Sequence, residues 1–218
     1  MKYYLAALIL IITANASAQE RVHPFMSDKI SWSFGVKGGV NVSMPRATLP
    51  QNVTLESLNR AHLGFTFNKR LVSNLVFLTS MVISGQGYTQ IIPPDSTYYG
   101  TPRSRIRFTY LNIPVMLLYQ TQSGFGVQAG PQVGLYLGGD YYDNYYFGDE
   151  QNQSTFSLVG GVSFVTKAGL GAEINYCLGL TEYIQGYNYN QSPVSIKNDV
   201  LQFSVVWYFA IAKKRPAR

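Results

Sequence analysis

The chain has one cysteine, Cys177, so it forms no intrachain disulfide in any compartment. Charge is scarce: Asp, Glu, Lys and Arg make up 13% of the residues, against about 25% in a typical soluble domain. Histidine is scarcer still, with His23 and His62 alone, and no cluster has the spacing of a metal site. No cofactor is therefore expected. Long apolar runs are also missing. The best, Leu5–Ile12, falls far short of the ~20 residues that a membrane helix needs. The basic excess, a formal charge of +6, is scattered or terminal and does not form a nucleic-acid surface.

Alternation is what the chain has instead. In Tyr110–Gly139, Phe125, Val127, Ala129, Pro131, Val133, Leu135 and Leu137 share one parity, and Gly126, Gln128, Gly130, Gln132, Gly134, Tyr136 and Gly138 the other. Successive strand side chains point to opposite faces, so this is a strand with one apolar face and one face of glycine and amide. Leu111, Ile113, Val115, Leu117 and Tyr119 repeat the pattern before the polar turn Thr121–Gly124. Both strands exceed the usual 5–6 residues. Long alternating strands, apolar to lipid and polar to a lumen, mark a transmembrane β-barrel hairpin.

The amino terminus reads as a secretory signal peptide, residues 1–18. Lys2 gives the positive start, Leu5–Ile12 the apolar core and Ala16-Ser17-Ala18 the cleavage site. A leader, 19–29, would precede a barrel over 30–210 and a basic tail, 211–218. Eight strands are expected: Ile30–Met44, His62–Lys69, Leu75–Tyr88, the two of the central hairpin, Phe156–Val165, Ala168–Leu178 and Val200–Ala210. In the third, Leu75, Phe77, Met81 and Ile83 outward puts Ser80, Ser84 and Gln86 inside. The connections alternate between roughly seventeen to twenty residues and about five or fewer, the rhythm of extracellular loops and periplasmic turns. The fold class is therefore all-β, an eight-stranded antiparallel outer-membrane barrel with both termini periplasmic. Trp32, Phe67, Tyr119, Phe125, Phe164, Trp207 and Phe209 would form an aromatic girdle at one rim.

The segments FTYLNIPVMLLY and GVQAGPQVGLYLGG resemble the paired Tyr-Leu-x-Ile-Pro and Ala-Gly-Pro strands of the PorT-type outer-membrane barrels of Bacteroidetes. FGVKGGVNVS, Phe34 to Ser43, is similar to the first strand of that family. The chain departs from barrels that end on their last aromatic, because Ala210–Arg218 follows Phe209. The resemblance implies a small outer-membrane barrel and, as in some members, a part in secreting proteins by the type IX route. The partners it implies are outer-membrane lipid, lipopolysaccharide and other envelope or secretion proteins.

Pro114 and Pro131 fall roughly opposite each other across the turn, which predicts a bulge or an unpaired step. An eight-stranded bore is just wide enough for side chains. Lys37, Arg70, Gln128, Gln132, Glu173, Asn175 and Gln202 are expected to plug it, with Glu173 paired to Lys37 or Arg70 because an unpaired buried charge is costly. No catalytic site is expected. His62 reads as a rim residue, and Ser43 nearby lacks a motif around it. Loop residues Tyr141, Tyr142, Tyr145 and Tyr146, among acids, suit glycan or protein contact or an extended aromatic girdle. A surface-binding barrel acting through that loop is the competing functional expectation. A narrow pore is the third. Arg103, Arg105 and Arg107 alternate before the fourth strand, where they read as a solvated edge or a lipid-phosphate contact.

Overall fold

The computed structural model describes residues 32–48, 54–72, 74–91, 103–140, 150–151, 153–182, 184–187 and 193–211. Eight long strands form a closed ring: β1 (Trp32–Thr48), β2 (Thr54–Val72), β3 (Leu75–Ile91), β4 (Arg103–Gln120), β5 (Phe125–Asp140), β7 (Ser154–Val165), β8 (Leu170–Gly179) and β10 (Pro193–Ile211). The short β6 (Glu150–Gln151) pairs with β9 (Ile184–Tyr187), which pairs with the start of β10. Every ring contact is antiparallel, and β1 and β10 close it from Trp32↔Ile211 to Thr48↔Ser195. Closure leaves the wall with no unpaired edge, the condition for strands to cross a hydrocarbon layer.

The alternation read from the sequence decides which face is which. On β4, Leu117 and Tyr119 are exposed while Met116 and Leu118 are buried. On β3, Met81 and Ile83 face outward and Ser80, Ser84 and Gln86 inward. Large apolar side chains are exposed all round the wall, from Phe65 on β2 to Val205 on β10. The barrel is thus inverted relative to a soluble one, with apolar area on the outside where lipid tails solvate it. At the end that carries the strand termini and the three tight turns, aromatics cluster. Phe34 stacks on Phe209 at 5.2 Å, Trp207 lies 6.4 Å from Phe209, and the Lys69 ammonium sits 5.0 Å over Trp32. Gly124 (φ 93) and Gly169 (φ 87) occupy the left-handed region in two of those turns, which other residues enter at a cost.

Three expectations change. First, strands run on into the expected long connections: β1 ends at Thr48 and β2 begins at Thr54, leaving residues 49–53 and not roughly seventeen, and β3 ends at Ile91 and β4 begins at Arg103, leaving residues 92–102 and not about twenty. Above the lipid band neither face must be apolar, so alternation fades while backbone pairing continues. Second, the prolines give an unpaired step without a bulge. Between Pro114↔Gln132 and Leu117↔Ala129 two ladder pairs are missing, yet the register is the same on both sides. The Thr79 hydroxyl donates to the Pro114 carbonyl at 2.9 Å, satisfying an oxygen the ladder leaves. The hairpin's register shift lies elsewhere, between Thr109 and Tyr110. Third, His62 is not at a rim. Because β2 starts at Thr54, His62 is buried inside the ring opposite Gly39.

Candidate functional site: a filled bore and a charged rim

Lys37 on β1 and Glu173 on β8 both point inward, since Val36 and Ile174 beside them take the outer face. They meet on the lumen side of β10, the strand between theirs, with Lys37 Nζ 3.0 Å from Glu173 Oε2. Around them the carboxylate is fully engaged. The Tyr208 hydroxyl donates to Oε1 at 3.0 Å and the Asn175 amide to Oε2 at 3.5 Å. Gln128 donates in turn to Asn175 Oδ1 at 2.6 Å, linking β5 to the cluster. A second network lies nearer the loop end. Gln202 donates to Asn41 Oδ1 at 3.0 Å, and Asn41 donates to Ser84 Oγ at 2.8 Å and to the Gly85 carbonyl at 2.9 Å. Gln86 donates to Ser84 and accepts from Asn198. Gly39 allows the close approach of β10, because a Cβ there would collide with the Phe203 carbonyl.

Apolar and aromatic side chains pack into the bore as well, beside further buried polar ones such as Thr66, Ser80 and Gln90. Val76, Leu78, Met116, Leu118, Val159 and Val206 belong to one buried cluster. Toward the loop end Tyr88, Phe108, Tyr110 and Tyr136 contact one another, the closest centroids 5.5 Å apart.

Five of the seven residues expected in the plug are therefore joined by bonds, in two networks: Lys37, Glu173, Asn175 and Gln128 in one and Gln202 in the other. Gln132 is buried on the lumen side of β5 but stands apart from both. Arg70 is half-buried at the turn end beside the irregularity between Arg70 and Val72, and the cation on Glu173 is Lys37. Tyr141, Tyr142, Tyr145 and Tyr146 lie outside the described residues. Ser43 is not the partner of His62. Register places Ser43 opposite Leu58, and His62 Nε2 is 2.9 Å from Ser204 Oγ. The other ring nitrogen, Nδ1, has no acid to orient it among the described residues. A triad needs that third group and an accessible hydroxyl, and this buried pair has neither.

Sequence reasoning missed one cluster. Asp199 lies on the outward parity of β10, two positions beyond Leu201. Arg46 Nε approaches Asp199 Oδ2 at 2.7 Å, the Tyr176 hydroxyl donates to Oδ2 at 2.7 Å, and the Gly179 amide donates to Oδ1 at 3.0 Å. The signal was a charge on a lipid-facing parity, which marks where the apolar band stops. On the opposite side of the circumference Arg103, Arg105 and Arg107 are exposed on the outer face of β4, and Arg103 Nη2 is 2.6 Å from Glu56 Oε2.

A family model described as outer membrane protein beta-barrel domain matches residues 16–185. Among solved structures, OprG of Pseudomonas aeruginosa aligns with a TM-score of 0.55 and 13% identity, covering 84% of this chain and 98% of its own. Ail, the attachment invasion locus protein of Yersinia pestis, aligns at 0.47 and 8% identity, covering 83% and 100%. Neisserial surface protein A aligns at 0.46 and 15%, covering 81% and 97%. At such identities the likeness to OprG is one of fold. No protein of curated function matches the sequence.

Proposed function

The chain belongs to the outer membrane protein beta-barrel domain family, and from that premise we propose that it is a non-catalytic, non-conducting barrel that serves as an accessory in protein secretion across the outer membrane. The observation that carries the first half is the bore. Two hydrogen-bonded networks, one built on a buried ion pair, link β1, β3, β5, β8 and β10 inside the ring, with apolar side chains packed beside them. An eight-stranded ring has no width to spare once these are in place. Function then lies at the ends and on the outer wall, where a barrel of this size meets other proteins. The secretion half rests on the likeness of the Tyr110–Gly139 hairpin to the PorT-type barrels. In this reading the tight turns and both termini face the periplasm, and the loop end faces outside, as is usual for such barrels.

The test is a deletion strain whose medium and periplasm are compared by mass spectrometry. Loss of sorting-domain proteins from the medium, with their accumulation in the periplasm, is the expected result. An unchanged secretome overturns the secretion role. Purified barrel in a planar bilayer should pass no steady current, and stepwise conductance would overturn the plugged bore. If secretion is intact but replacing Tyr141, Tyr142, Tyr145 and Tyr146 by Ser abolishes surface binding, the barrel is a surface-binding protein instead.

A further inference from the structure

We infer that the outer wall over β2, β3 and β4 at the loop end is a binding site for a phosphorylated lipid headgroup, held by Arg103, Arg105 and Arg107. The outward residues of β4 in order are Tyr119, Leu117, Val115, Ile113, Leu111, Thr109 and then the three arginines. A strand rises about 3.4 Å per residue and tilts about 40° in such a barrel, so the apolar part spans roughly 20 Å along the membrane normal. The same arithmetic puts Arg107 about 10 Å and Arg105 about 15 Å beyond Leu111. That is headgroup depth, where phosphate is the available anion.

The local shape suits an anion lying against the wall. Gly87, the backbone partner of Arg107 on β3, carries no side chain, and neither does Gly85. The Arg60 side chain flanks Gly85 on the far side, its Nε 2.9 Å from where a Cβ would stand. A floor of bare backbone thus lies beside the exposed guanidiniums of β4. Guanidinium presents a planar fork of donors that matches phosphate oxygens, which a lysine ammonium does not. Glu56 is paired with Arg103. Arg107 is the backbone partner of Asp140. The outward loop-end positions of β7 and β8, Ser154, Phe156, Leu178 and Leu180, hold no cation, and the exposed Arg46 of β1 is paired with Asp199.

The experiment uses the full barrel in detergent, with lipid retention read by native mass spectrometry. The probes are diphosphorylated lipid A, the same lipid stripped of its phosphates, and inorganic phosphate as competitor. Wild type should retain the diphosphorylated lipid and not the stripped one. Arg105→Gln with Arg107→Gln should weaken retention by about 30-fold, roughly fivefold per arginine. Both variants are on exposed positions, and an unchanged heat-dependent shift in gel mobility confirms the barrel is folded. Equal retention of the two lipids, or no effect of the double variant, overturns the inference. Displacement by millimolar inorganic phosphate assigns the site to a free anion and overturns the lipid assignment. None of these outcomes depends on secretion, so the inference stands or falls apart from that reading.

Discussion

The bore and the rim each hold an ion pair, and the two pairs differ in everything but chemistry. Lys37 and Glu173 approach to 3.0 Å with side-chain exposures of 2% and 1%; Arg103 and Glu56 approach to 2.6 Å at 62% and 45%. The shorter contact is the weaker one in effect, because water screens it and both side chains give up rotamer freedom to make it. Inside, the pair has no water to fall back on, so each charge exists only because the other does. The barrel therefore balances charge one to one where it is enclosed and lets arginine accumulate where it is not. Arg46 and Asp199 are the intermediate case, one partner half-exposed and the other 5% exposed, tied down by a hydroxyl and an amide as well.

The strongest way to break this contrast is to remove one enclosed charge. Glu173→Ala leaves the Lys37 ammonium buried and unpaired, and should lower stability by about 3–5 kcal/mol in urea unfolding from lipid vesicles. Changing both residues, Lys37→Met with Glu173→Leu, should recover most of that loss, since an apolar pair of similar volume often replaces a buried ion pair at little cost. If the single variant is as stable as wild type, water reaches the pair and the bore is not closed.

The same contrast holds on the outer wall, and depth is its variable. Val115 lies at the middle of the β4 apolar row, and Thr109 is its last outward position before the arginines. Val115→Arg should destabilise by about 2–4 kcal/mol and Thr109→Arg by about 0–1 kcal/mol, measured by the same unfolding assay. Equal costs would mean that the apolar band does not end where the arginines begin.

Much of this could be read from the chain, for a stated reason. A lipid-facing strand must be apolar at every second position, so the central hairpin, the facing of β3 and the inward Lys37 and Glu173 all followed from parity. The pairing of Lys37 with Glu173 or with Arg70 was left open because parity says nothing about which strands become neighbours in the ring. Closure decides that, and it joins residues 136 apart in sequence. His62 and Ser204, 142 apart, were hidden for the same reason. Strand ends were hidden for another. Arg103, Ser104 and Arg105 carry no alternation of hydrophobicity, yet β4 begins there, since above the membrane the ladder bonds alone hold the wall. The Arg46–Asp199–Tyr176 cluster needed three strands to be brought together at the point where β8 stops.

The smallest expected effect tests the exposed end of the comparison. Glu56→Gln removes the carboxylate from Arg103 while keeping the side chain's shape, and should change unfolding stability by less than about 1 kcal/mol, because exposed pairs of this kind contribute about 0.2–1 kcal/mol. The two functions of charge then separate. If the rim arginines exist to meet phosphate, freeing Arg103 should tighten retention of the diphosphorylated lipid even as stability stays flat. A variant that loses stability on the scale of Glu173→Ala would instead place Glu56 among the enclosed charges. A variant that loses lipid would show that the carboxylate orients Arg103 for the phosphate and does not compete with it.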